Sequence, residues 1–240
     1  MKTLTKLAAV VILLISTTSC FIDGMTGIKG NRNVVSEERA ISSNFDEIKV
    51  QQGIRLLITQ DNSTSLKVEA DENIIDLLRT EIQNNQLKIY FEKNVYKAKA
   101  RNVYLSTNDI KKIKASSGSS VISENTLQSN ALELDASSGS SMKIYVNAEK
   151  VTTESSSGAN IRVNGKSKIL SCSASSGSSI NADDLKTIDA TVKASSGANI
   201  DVNVTGILTA KASSGGDIDY EGNPKDVNKN TSSGGSVSGS

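Results

Sequence analysis

The chain has no histidine and no tryptophan, and a single proline, Pro224, interrupts its 240 residues. Without histidine it lacks the side chain that most often works as a general base near neutral pH, and the commonest nitrogen ligand for metals. Three Phe and five Tyr are its only aromatics, which argues against stacked platforms for nucleic-acid bases or sugar rings. A net charge of +1 excludes a global basic field for nucleic acid. Scarce proline, in contrast, leaves almost every backbone N–H available to a long, regularly hydrogen-bonded body.

Cysteine is also scarce, with one at Cys20 and one at Cys172. Residues 1–6 (MKTLTK) carry Lys2 and Lys6, and residues 7–15 (LAAVVILLI) form an apolar run. That run is shorter than the roughly 20 residues needed to cross a bilayer. Small polar residues and Cys20 follow, an arrangement that resembles a bacterial lipoprotein signal, in which the cysteine is diacylated and becomes the new N-terminus. Thr17, Thr18 and Ser19 stand where the lipobox would be, and Thr17 departs from the aliphatic residue preferred there. Ordinary secretion with cleavage nearby is the alternative. With Cys20 acylated, Cys172 has no disulfide partner, so the fold is expected to stand without a staple.

This reading divides the chain into a signal peptide at 1–19, a lipidated Cys20 with a flexible tether over 20–40, and one domain over 41–240. Gly24, Gly27 and Gly30 mark the tether. Within the domain, 41–110 supplies N-terminal coils and a cap, and 111–240 supplies repeats. The repeat is the triplet SSG at 116–118, 137–139, 156–158, 175–177, 195–197, 213–215 and 232–234, a period near 19. Its glycines are Gly118, Gly139, Gly158, Gly177, Gly197, Gly215 and Gly234. Three residues after each stand Val121, Met142, Ile161, Ile180, Ile200, Ile218 and Val237, all apolar. Small residues precede the triplet, and further inward candidates lie two positions beyond the apolar one.

Apolar positions two apart on both sides of a glycine turn mean strand, corner, strand. One corner per period favours stacked coils over a hairpin meander. The expected fold is therefore all-β, a right-handed parallel β-helix of about 19-residue coils, with each SSG as its structural corner. Residues 48–58 (IKVQQGIRLLI) share the register, and the 65 residues from Gln51 to Ser116 leave room for about three coils. Residues 71–82 (DENIIDLLRTEI) fit a short helix or a bulging insertion equally well. The last coil, glycine-rich and polar, is expected to be thin or frayed.

FDEIKV (45–50), QGIRLLITQ (52–60), VEADENIIDLL (68–78), NQLKIYFE (85–92) and the glycine corners together resemble the head GIN domain family of auto-transporter adhesins, common in Bacteroidetes. The likeness covers roughly residues 45–238. It implies a β-helical cell-envelope protein, and no binding residues are carried over from it.

Chemistry is sought on the outward rows. Four residues after each glycine stand Ile122, Lys143, Arg162, Asn181, Asp201, Asp219 and Ser238, which run from basic to acidic. Asn199, Asp201, Asp217 and Asp219 are candidate calcium ligands, since a hard cation wants six to eight oxygens. A solvated polar face relieved by Lys211 and Lys225 is the plainer reading. No catalytic residue and no cofactor is assigned. Asp183 and Asp184 read as a turn, and Cys172 reads as a small core residue rather than a nucleophile.

These observations lead to a non-catalytic, lipid-anchored cell-envelope protein, an adhesin or interaction module. The outer membrane is the expected site, with its periplasmic or surface face left open. The membrane is one expected partner, through the lipid. A glycan or protein ligand is another, and nucleic acid is excluded. Two alternatives remain at this stage: a periplasmic carbohydrate-binding or carbohydrate-active lyase- or hydrolase-like β-helix, and a purely structural envelope lipoprotein. Rows of serine hydroxyls could bind polysaccharide, or small residues could simply be what the corner requires.

Overall fold

The computed structural model describes residues 27–42 and 45–239. The signal segment and Cys20 lie outside them. The strands are, in chain order, β1 (Ile28–Lys29), β2 (Val34–Arg39), β3 (Glu47–Val50), β4 (Arg55–Gln60), β5 (Ser65–Asp71), β6 (Leu78–Gln83), β7 (Gln86–Phe91), β8 (Val95–Tyr96), β9 (Arg101–Thr107) and β10 (Lys112–Ala115). Four long strands follow, β11 (Ser120–Ala136), β12 (Ser141–Ser155), β13 (Asn160–Ala174) and β14 (Ser179–Ser195). The last are β15 (Asn199–Val204), β16 (Ile207–Ser213), β17 (Asp217–Glu221), β18 (Asp226–Ser232) and β19 (Ser236–Gly239).

The architecture is a parallel β-solenoid of about 7 turns with coils of ~19 residues. Each coil runs along one sheet, turns at the serine–glycine corner, and returns along a second sheet. The first sheet stacks β7, β3, β10, the C-terminal halves of β11 to β14, then β16 and β18. The second stacks β9, β4, the N-terminal halves of β11 to β14, then β15, β17 and β19.

Side chains alternate in and out with the strand period of two. Val121 lies opposite Met142, Met142 opposite Ile161, and the pairing continues through Ile180, Ile200, Ile218 and Val237. All but Val237 are buried. Each fully buried aliphatic of this row contributes about 1.5–3 kcal/mol relative to exposure. The row on the first sheet runs Ile113, Leu134, Thr153, Cys172, Val192, Ala210 and Lys229. Cys172 therefore sits inside, and burial pushes its thiol up to about 12, with only a small counter-pull from Thr153.

The corner is a two-residue left-handed turn in every SSG coil. Ser157 has φ 53° and Gly158 has φ 69°, and the other corners repeat these values closely. Each corner glycine N–H donates to the serine carbonyl of the next coil, as Gly139 to Ser157 at 3.1 Å and Gly158 to Ser176 at 3.2 Å. Gln52 and Gly53 make the same corner without the triplet, with Gly53 donating to Ser117 at 3.0 Å.

Two expectations are corrected at the N-terminal end. The 65-residue interval does not hold three successive coils. β3 and β4 pair directly with β10 and β11, so the coil at 47–60 lies immediately beside the first SSG coil. The intervening chain reverses and adds one parallel coil, β7 and β9, on the far side of β3 and β4. Asn84 and Asn85, with φ of 51° and 63°, form the tight turn that folds β6 back antiparallel on β7. Such a paired left-handed turn is where Asn is favoured, and it matches the twist of a hairpin. The tether expected over 20–40 is also corrected where it is described, because β2 pairs antiparallel with β5 and β1 pairs with β8.

This end is a cap. Residues 71–82 form neither a full helix nor a loose bulge; a one-turn 3-10 helix at Ile75–Leu77 leads into β6. Phe45, Ile74, Leu78 and Phe91 fill the interior. Arg39 crosses the opening and donates to the carbonyls of Leu78 and Ile75. Asp71, fully buried, accepts from the N–H groups of Arg32 at 2.8 Å, Lys99 at 2.9 Å and Ala100 at 3.0 Å. Burial alone would raise its carboxyl, but these three donors hold it below its ordinary value. At the other end, β18 and β19 remain paired in register though mostly exposed. There Lys229 takes an inward position, its Nζ 4.8 Å from the Tyr220 ring centroid and donating to the Val237 carbonyl at 3.2 Å.

Gly158→Ala meets no atom within 4 Å, so its cost is backbone strain alone, about 1–2 kcal/mol. Ile161→Ala removes packing from a buried row and is expected to cost about 2–5 kcal/mol. Urea unfolding followed by circular dichroism ranks the two, and equal costs would contradict this account. Because Asp71 has a lowered carboxyl, its contribution is present above the ordinary value of 3.8 and lost as pH falls through the folded value. Asp71→Asn is expected to cost about 1.5–3 kcal/mol at pH 7 and to flatten the acid limb of the stability profile.

Candidate functional site: the outward rows and the corner

The corner serines have distinct structural roles. The residue after the glycine is buried where it is serine, and its hydroxyl donates to a carbonyl of the adjacent coil: Ser119 to Val50 at 3.1 Å, Ser140 to Ala115 at 2.9 Å, Ser178 to Ser155 at 2.8 Å. Such groups satisfy backbone acceptors that the turn would otherwise bury unpaired. Hydroxyl-to-hydroxyl exchange along the axis occurs between Ser141 and Ser120 at 3.2 Å. The corner is thus accounted for by construction.

On the second sheet the outward row runs without a break from cap to C-terminus. Its order is Tyr104, Leu57, Ile122, Lys143, Arg162, Asn181, Asp201, Asp219 and Ser238. The expected passage from basic to acidic is present, and the cap adds an apolar beginning to it. Leu57 was legible as an interruption of alternation in RLLI, since Leu56 and Ile58 already occupy the inward positions. Tyr104, in NVYLS between inward Val103 and Leu105, carried the same signal. The scarcity of aromatics hid the fact that Tyr104 and Tyr145, each 38% exposed, share this face.

At the acidic end Asn199 pairs with Asp217, and Asp201 with Asp219. The four calcium candidates are neighbours, as their spacing predicts. Asn181 Nδ2 donates to Asp201 Oδ2 at 3.3 Å. Among the described residues, however, no group of three or more His, Cys, Asp or Glu is placed to hold a metal ion. Lys211 does not relieve the repulsion among the acidic candidates, because it lies on the first sheet, stacked on Lys193. Asp183 and Asp184 occupy not a turn but a register shift within β14, where Asp184 accepts from Asn164 at 3.0 Å. Burial raises the Asp201 carboxyl, Asn181 pulls it back, and the charges of Asp219, Asp183 and Asp217 raise it further.

Strand rows in register around one corner define a two-sided β-solenoid. A family model described as "Putative auto-transporter adhesin, head GIN domain" matches residues 44–224. The chain belongs to this family. Solved structures share the fold. A putative adhesin from Bacteroides fragilis has TM-score 0.83 and 18% identity, over 89% of this chain and 100% of that one. A putative adhesin from Parabacteroides merdae has TM-score 0.76 and 22% identity, over 89% and 98%. A "putative lipid binding protein" from Parabacteroides distasonis has TM-score 0.72 and 22% identity, over 89% and 99%. Comparison with curated proteins finds no match.

A carboxyl raised in the fold favours folding only while protonated, so that contribution is full below 3.8 and lost as pH rises through the folded value. Asp201→Asn is therefore expected to raise the melting temperature at pH 7 and to leave it unchanged at pH 3. Parallel scanning calorimetry at the two pH values checks the sign.

Proposed function

We propose that this chain is a non-catalytic adhesin or interaction module of the cell envelope, held by a lipid on Cys20 at the outer membrane. The observation that carries the reading is the register of the outward rows. One rigid body presents an unbroken outward row at the coil spacing of about 4.8 Å, graded from apolar through basic to acidic, which suits contact with an extended partner more than turnover of a small one. Membership in an adhesin-like family supports an envelope or surface location. Against a nucleophilic enzyme stands the burial of Cys172, whose raised thiol is uncharged at physiological pH.

The test uses cells with and without the gene. Labelling with palmitate analogue is expected to depend on Cys20, and Cys20→Ser should abolish it. Protease treatment of intact cells is expected to remove the protein, and cells lacking it should adhere less to a mucin-coated surface. Release of reducing sugar from polysaccharide by the purified chain would overturn the non-catalytic reading. Full protection from protease would overturn surface display.

A further inference from the structure

We infer that the cap end of the second sheet carries a binding site for a neutral oligosaccharide, a reading that deepens the adhesin assignment and rests on it. The argument starts from a departure in pattern. Outward positions on this row are charged or polar from Lys143 to Ser238, yet Tyr104, Leu57 and Ile122 stand side by side on three neighbouring strands. An outward apolar strip on a sheet that alternates faithfully elsewhere breaks local consistency, and such breaks mark functional surfaces.

Tyr104 and Leu57 of this strip line a groove of about 440 Å³, which Lys67, Ser106, Glu38 and Glu124 also line. Among the described residues, Lys67, Glu38 and Glu124 enter no salt bridge, so the two carboxylates are not neutralised by a neighbouring cation. Lys67 Nζ lies over the Tyr104 ring, 5.9 Å from its centroid. A sugar ring has an apolar C–H face and a perimeter of hydroxyls. Tyr104 and Leu57 match the face, the two carboxylates accept from hydroxyls, and the ammonium and Ser106 donate to them. Other occupants fit less well. A phosphate or sulfate would meet two carboxylates, and an acyl chain would leave those carboxylates without partners.

The same pairing recurs further along the sheet. Tyr145 lies on the coil of Lys143, whose Nζ is 5.5 Å from its ring centroid. Three strand spacings separate that coil from Tyr104, about 14 Å, with Leu57 and Ile122 between. The ligand therefore lies along the solenoid axis and spans several sugar units.

Calorimetric titration of the secreted full chain with soluble mannan, xylan and dextran tests the site, with heparin as the polyanionic probe. At least one neutral glycan is expected to bind. Tyr104→Ser and Glu124→Gln should each weaken it about tenfold or more, Tyr104→Trp should retain it, and Asp201→Asn should leave it unchanged. Both weakening variants alter outward side chains, and circular dichroism is expected to show them folded. Should Tyr104→Ser not fold, Glu124→Gln decides alone. No binding to any neutral glycan, stronger binding to heparin, or equal binding by the folded weakening variants would overturn the proposal. If adhesion to mucin persists while glycan binding is absent, the glycan site falls and the adhesin reading stands. Glycan binding without gene-dependent adhesion defeats only the latter.

Discussion

A hydrogen bond that crosses from one coil to the next holds this architecture in register. The glycine N–H at each corner donates to the serine carbonyl of its neighbour, repeated from Gly53 to Gly215. For the bond to form, every corner must adopt the same left-handed pair of backbone conformations. Serine is not the residue that such a conformation favours, and its repeated use there implies compensation elsewhere. The inter-coil bond itself offsets that strain, and in three coils the buried serine that follows the glycine adds a bond to a carbonyl of the adjacent layer. Once corners superpose, the strands on both sides have no freedom to slip, and side chains of like position come to lie over one another.

This constraint explains why much of the solenoid could be read from residues alone. A fixed period with apolar residues at fixed offsets from glycine identifies the inward rows, and the observed pairings of Val121 through Val237 follow it. What remained illegible was any feature created by leaving the period. Asn84 and Asn85 reverse the chain through backbone conformation, a short-range signal that says nothing about which strand the returning segment will join. The coil at 47–60 finds its true neighbour 65 positions later, past β5 to β9, and no local pattern reports that distance. The described part of the expected tether was hidden similarly, because β2 is a half-exposed edge whose partner, β5, belongs to the inserted section.

The candidate site divides along the same line. Asp201 and Asp219 were placed as neighbours by counting, but whether Lys211 is their partner depends on which side of the corner it occupies. Tyr104 and Tyr145 are far apart in sequence, and composition treated them as two of a few scattered rings. Their shared face emerges only when β9 is inserted beside β4. The cap thus both closes the core and adds an aromatic ring, Tyr104, to a row that would otherwise start with Leu57.

The far end of the rod offers a last lesson. A stack of parallel coils finishes on strands whose free edges would welcome another identical layer, the condition from which fibrils grow. Here the last described layer puts an ammonium, Lys229, where Val192 and Ala210 stand in the two layers before it, folded over Tyr220 and tied to the Val237 carbonyl. Any incoming layer would have to bury that charge. A further layer stacked in this register would therefore be disfavoured electrostatically.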